Sequence, residues 1–234
     1  LRDEEMLDSS TLRCLPLDRA KFPEHSMFAP LFDAVREALL SEPLLPRFNG
    51  GYVSAGAAKL ARTQELRELF SAQQVGVLFG GDGDLAWLSS DITQDRAPEL
   101  RQYVMRELAI AEITPEAILP KLDKAFLEAQ SDEWILRLYE FLSGQAALRR
   151  RLDNVPLIRL NDGSHVVAKE NGHSLAFLPG AIETAFPTMR RLVCSTPEVR
   201  LFLTSLGITE PDPVDDVVWN ILPKYQAEEV DVTD

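Results

Sequence analysis

Apolar positions fall on a helical spacing in several stretches of this chain. Residues 26–42 place Leu31, Val35, Ala38 and Leu39 on one face, with Ser26 as a cap and Pro43 as the stop. The same spacing predicts helices over 63–79, capped by Thr63, and over 97–109, opening at Pro98. Over 131–152, Trp134, Leu138, Phe141 and Leu142 form the apolar stripe, Ser131 opens the helix ahead of Asp132-Glu133, and Gly144 divides it. Thr114-Pro115 and Asp212-Pro213 each read as a cap with proline at the first helical position. The helices they open run into Ile118-Leu119-Pro120-Lys121 and Ile221-Leu222-Pro223-Lys224, where the internal proline ends or kinks each one. The second of these is the last predicted helix, 213–225.

Two stretches alternate instead. Asn49-Gly50 and Asp162-Gly163 sit between apolar runs and predict two-residue type I′ hairpin turns, which need positive φ at both central residues. With such a turn Leu160 faces His165 and Ile158 faces Val167. Residues 169–190, broken by two prolines and three turn formers, read as an irregular insertion with a short strand at 175–178.

These elements recur in order. Pro43 to Ala55 (PLLPRFNGGYVSA) aligns without a gap on Pro156 to Ala168 (PLIRLNDGSHVVA), with five of thirteen positions identical. Pro98-Glu99-Leu100-Arg101 answers to Pro197-Glu198-Val199-Arg200, with Tyr103 and Phe202 following. Leu108, Ile110 and Glu112 answer to Leu206, Ile208 and Glu210. A unit of roughly 100 residues, duplicated with insertions, is the economical reading. It places the first copy in 1–112, with a helical lead-in, and the second in 113–234, ending in an acidic tail. The expected class is α+β, predominantly helical with small antiparallel hairpins. Repeats usually build scaffolds and binding surfaces.

The 234 residues are enough for one large domain or two modest ones with real cores. Net charge is -13, and the basic clusters (Arg149-Arg150-Arg151, Arg190-Arg191) are short. That argues against nucleic acid and anionic membranes as partners. No apolar run approaches the ~20 residues of a membrane-spanning helix, and no signal pattern opens the chain. A cytoplasmic protein with two reduced cysteines, Cys14 and Cys194, is expected, and the chain reads as excised from a longer one.

Candidate chemistry is sparse. Gly80-Gly81-Asp82-Gly83-Asp84 lacks the spacing of a calcium loop or a P-loop and reads as a turn. His25, His165 and His173 sit in no metal-binding motif, and the neighbouring Asp162, Ser164 and His165 cannot converge as a triad. Asp215-Asp216 and Glu228-Glu229 are adjacent pairs whose side chains diverge on a helix. No catalytic, cofactor-binding or metal-binding residue is therefore expected, and no cofactor. Phe22, Met27, Phe28, Phe177, Phe186 and Met189 lie in proline-interrupted segments, where they either hold partners or plug the core.

The pattern Pro-Leu-(Leu/Ile)-x-x-x-(Asn/Asp)-Gly-x-(Tyr/His)-Val, followed by a helix ending in Leu-Gly-Ile, resembles the repeat units of sacsin-like proteins. Pro156 to Val166 with Pro197 to Ile208 carries it best. Arg13 to Leu17 through Phe32, with Asp212 to Tyr225, resembles the middle of large bacterial members. Those carry an N-terminal ATP-binding domain of the gyrase, heat-shock chaperone and histidine-kinase type. The resemblance implies a non-catalytic region just after the ATPase, a scaffold or protein-interaction surface. Its partners would be its own ATPase domain and client polypeptides, in an oligomeric state the sequence leaves open. The alternatives are a hydrolase-like enzyme module with a site between the copies, and a regulatory or oligomerisation module.

Overall fold

In the computed structural model, which describes residues 9–15, 17, 18, 20, 26–80, 85–180 and 184–212, helices mix with short strands. They are distributed over two units, Leu1–Ile118 and Leu119–Asp234. The predicted helix 213–225 and both acidic pairs lie outside the described residues.

The first unit begins with α1 (Ser9–Arg13) and α2 (Ala29–Ser41). Helix α2 buries Ala29, Phe32 and Leu39, so its apolar stripe runs through Phe32, Val35 and Leu39 and leaves Leu31 exposed. The hairpin β1 (Leu45–Pro46) and β2 (Tyr52–Val53) follows, in register Leu45 to Val53. Strand β3 (Ala58–Ala61) comes next. The single helix expected over 63–79 is two, α3 (Gln64–Leu69) and α4 (Ala72–Phe79). Ser71 restarts the helix through a capping box with Gln74, and Gly80 ends it in the left-handed region at φ 67°. Strand β4 (Ala86–Trp87), helix α5 (Pro98–Arg106), strand β5 (Glu112–Ile113) and helix α6 (Pro115–Ile118) complete the unit. Strand β3 is the centre of a parallel sheet ordered β4-β3-β5. The hairpin, the sheet and α5 close over one apolar core that includes Phe32, Leu45, Ala58, Leu60 and Leu100, each large side chain contributing about 1.5–3 kcal/mol.

The second unit opens on a 3-10 turn, Leu119–Lys121, at Pro120, then α7 (Lys124–Glu128) and α8 (Asp132–Ser143). Ser131 caps α8 by accepting from the Trp134 amide, and the helix stops at Gly144. Its buried stripe is Ile135, Leu138, Tyr139 and Leu142. A hairpin β6 (Ile158–Arg159) and β7 (His165–Val166) follows, then β8 (Lys169–Glu170), β9 (His173–Ser174) and α9 (Pro197–Ser205).

The hairpin register differs from expectation by one residue: Ile158 faces Val166 and Arg159 faces His165. Only Gly50, Gly51 and Gly163 take positive φ in the two turns; Asn49 and Asp162 do not. Gly163 N–H donates to Leu160 O (3.0 Å) and Leu160 N–H to Ser164 O (2.8 Å), which is a three-residue loop with a left-handed glycine rather than a two-residue turn. The extra loop residue shifts the pairing.

Within each unit, backbone hydrogen bonds recur at corresponding places. Arg47 N–H to Gly51 O (3.0 Å) and Gly50 N–H to Arg47 O (3.3 Å) match the two bonds at Gly163. Phe48 N–H to Trp87 O (2.8 Å) matches Asn161 N–H to Thr188 O (3.0 Å), and Ser89 N–H to Pro46 O (2.9 Å) matches Arg190 N–H to Arg159 O (3.2 Å). Leu88 N–H to Lys59 O (3.0 Å) matches Met189 N–H to Phe177 O (2.9 Å). Leu60 N–H to Ala111 O (3.1 Å) matches Leu178 N–H to Thr209 O (2.8 Å). The segment expected to be an irregular insertion thus carries a parallel bridge, Phe177 with Thr188, where the first unit has β3 against β4. Phe32 meets Tyr103 edge-on at 6.0 Å between centroids, and Tyr139 meets Phe202 at 6.3 Å. After α5 and α9 the chain turns through a left-handed residue, Ala109 (φ 52°) in one unit and Gly207 (φ 87°) in the other.

Candidate functional site

The first unit holds a polar cleft of about 690 Å³ lined by four arginines, Arg62, Arg67, Arg96 and Arg101, against two carboxylates, Asp95 and Glu112. In a chain of net charge -13 this is a local reversal of sign. Each arginine is placed by regular structure. Arg62 follows β3, its amide donating to Ile113 O at 3.0 Å. Arg67 stands one turn into α3, whose Thr63 cap accepts from the Leu66 amide at 3.2 Å. Arg101 projects from α5, and Arg96 from the loop before it, where Thr93 Oγ1 accepts its amide at 3.1 Å.

The four are not equivalent. Glu112 on β5 holds two of them: Oε2 takes Arg62 at 3.0 Å and Oε1 takes Arg101, which also donates to Ile92 O at 3.0 Å. Arg96 is paired with Asp91 at 2.7 Å. Among the described residues Arg67 has no such carboxylate contact. Its guanidinium lies 4.4 Å over the Phe48 ring, and its buried Nε has no hydrogen-bond partner among the described residues. Burial pulls its pKa below the ordinary arginine value, with Glu68 opposing; a guanidinium stays charged regardless. Among the described residues, the cleft therefore presents one arginine outside any ion pair beside three that are paired.

The second unit uses its charges differently. Arg200 and Glu210, which stand where the first unit has Arg101 and Glu112, pair at 2.7 Å with side chains 36% and 57% exposed. Its buried charge is at the hairpin instead. Asp132 accepts two contacts of 3.0 Å from Arg190 and lies 2.8 Å from Arg159 Nε, an ionic contact without hydrogen-bond alignment. His165 is buried beside it, with Nδ1 3.0 Å from Pro156 O and Nε2 3.4 Å from Arg159 Nη1. The Pro156 contact fixes the Nδ1–H tautomer, leaving Nε2 to accept from Arg159. Desolvation holds its pKa below the ordinary value.

The other residues raised by sequence do not assemble into a site. His25, Phe22 and Gly81 to Asp84 lie outside the described residues. His173 is exposed on β9. Asp162 is held below the usual carboxylate range by the Ser164 hydroxyl and amide, as a turn does. Cys14 is exposed and Cys194 buried, and burial pushes the Cys194 thiol up. Of the loop aromatics and methionines, Met189 is buried, Phe177 packs on Phe186 at 4.7 Å, and Met27 and Phe28 are exposed. No group of three metal-ligating side chains converges among the described residues, and no described helix is long and apolar enough to cross a membrane.

Sequence reasoning missed the arginine cleft because its members are scattered from 62 to 101 and share no motif. The one available signal was Arg101, in the PELR segment that recurs as PEVR. Compared with known proteins, the chain matches no family model, no curated protein and no solved structure.

Proposed function

We propose that this chain is a non-catalytic protein-interaction scaffold, built from two diverged copies of one unit of roughly 100 residues. In this reading it is a middle region of a large sacsin-like, chaperone-like ATP-binding protein, and its partners are that protein's ATPase domain and client polypeptides. The observation that carries the reading is the recurrence of one backbone hydrogen-bond pattern in both units around different side chains. A frame kept while its surface changes is the behaviour of a repeat used for binding. Exposed apolar side chains in both units, Met27, Phe28 and Leu31 in one and Leu192 and Leu201 in the other, add to it. His165 lends no support to an enzyme, because both ring nitrogens face structural partners.

The test is suppression of aggregation of a heat-labile client by the purified chain, with and without ATP. Nucleotide-independent suppression is expected. Suppression that requires ATP, or none at any ratio of chain to client, would count against the reading.

A further inference from the structure

We propose that the arginine-lined cleft of the first unit is a binding site for an oxyanion carried on a peptide, with Arg67 as the residue that engages it. The inference does not rest on the duplication or on the family resemblance.

Three observations converge on an anion. The lining has an excess of guanidinium over carboxylate in a strongly acidic chain. Glu112 and Asp91 pair with Arg62, Arg101 and Arg96 by salt bridges, so the charges of those side chains already have partners before any ligand arrives. Arg67 is the exception: desolvated, stacked on Phe48, and with a buried Nε that nothing among the described residues accepts from. Nε itself is closed to solvent, but Arg67 as a whole is only part-buried and lines the cleft, so the rest of its guanidinium is what an incoming acceptor meets. A carboxylate or phosphate fits the planar fork of a guanidinium and gains charge-assisted hydrogen bonds.

Size and polarity indicate how the anion is presented. About 690 Å³ is far more than one free oxyanion fills. Beside Phe48 and Ala61, the uncharged polar lining is Thr63, Gln64, Ser90, Thr93 and Gln94, side chains that both donate and accept hydrogen bonds and so suit a peptide backbone. A nucleic-acid strand is disfavoured, because Asp95 and Glu112 share the cleft and the surrounding chain is acidic, whereas strand binding needs a continuous basic track. The anion's source is an acidic side chain or a phosphorylated one.

Fluorescence anisotropy on the whole chain separates these. The probes are a fluorescein-labelled glycine hexapeptide bearing one glutamate, the same peptide bearing one phosphoserine instead, and unlabelled inorganic phosphate as competitor. At least one peptide binds, and binding weakens as salt rises. Arg67→Gln lowers affinity about ten- to hundredfold, the loss expected for one charge-assisted bond. Arg62→Gln, on a side chain 63% exposed, lowers it by a smaller factor and keeps the test valid should Arg67→Gln unfold. Arg151→Gln, the same charge change in the second unit, leaves it within about twofold. Preference for the glutamate peptide assigns a carboxylate; preference for the phosphopeptide, with competition by phosphate, assigns a phosphoryl group. Failure to bind either peptide, or equal affinity in wild type and folded Arg67→Gln, overturns the proposal, as does unchanged affinity in Arg62→Gln should Arg67→Gln unfold.

Discussion

The two units close closely similar sets of backbone hydrogen bonds, yet they bury charge in different places. In the first, the acid at the end of the sheet, Glu112, is mostly buried and gathers Arg62 and Arg101 beside a cleft. In the second, the matching Arg200–Glu210 pair lies out in solvent, and the buried charges are Asp132 and Arg159 at the hairpin. Backbone pairing is satisfied by geometry alone, so side chains can change around it as long as each buried charge finds a partner. The frame and the chemistry are separable, and in the first unit the arginines line a cleft.

The sharpest way to break this comparison is to remove the same carboxylate from both units. Glu112→Gln strips the counter-charge from a buried arginine and should cost about 2–3 kcal/mol in urea unfolding. Glu210→Gln acts on an exposed pair and should cost under about 1 kcal/mol. Equal losses would mean that the two pairs are not differently buried.

Next in size are the buried tyrosines. Tyr139 Oη donates to Leu157 O at 2.6 Å and accepts from the Arg159 amide at 3.2 Å, tying α8 to β6. Tyr103 Oη is buried with no partner among the described residues, and burial raises its pKa to about 12. Tyr139→Phe should therefore cost about 2 kcal/mol, and Tyr103→Phe should be close to neutral, as thermal melts of the two variants would show.

His165 adds a pH dependence that Tyr52, its counterpart in the first hairpin, does not. Burial lowers the native pKa of His165 below the ordinary 6.5. The unfolded chain then binds a proton the native unit refuses, so stability falls as pH drops from about 6.5 toward the lowered native value. The slope is at most about 1.4 kcal/mol per pH unit. His165→Gln should remove this component from urea midpoints measured between pH 7.5 and 5.5, while wild type retains it.

The smallest effect concerns the turn after α5 and α9. Ala109 and Gly207 both take positive φ, but only glycine does so without strain. Ala109→Gly should stabilise by about 0.5 kcal/mol. Gly207→Ala should destabilise by about 1 kcal/mol or more, since a Cβ there would also come within 2.3 Å of the Lys169 side chain, which must move. Calorimetry on both variants reads the two signs.

The helices and hairpins were legible because their signals are local. Ser131, Gly144, Pro98 and Pro197 mark ends that the structure keeps. The break between α3 and α4 was missed because apolar spacing runs on through Phe70, while Ser71 with Gln74 offers a second cap. The parallel sheet was missed because its strands are two to four residues long, too short for periodicity to register. The hairpin register went wrong because Asn49-Gly50 and Asp162-Gly163 also suit a loop needing only one left-handed residue. The arginine cleft was illegible for a different reason. Which of its arginines is already paired depends on Glu112 and Asp91, distant partners that no spacing rule names.

The most direct test of a shared frame is amide hydrogen exchange resolved residue by residue. The amides of Arg47, Phe48, Leu60, Leu88 and Ser89 should be protected together, and so should those of Leu160, Asn161, Leu178, Met189 and Arg190, each within its own unit. Protection of the first set with free exchange at Leu178, Met189 and Arg190 would contradict the account, because the segment from 169 to 190 would then be an unpaired insertion and the two units would not share a frame.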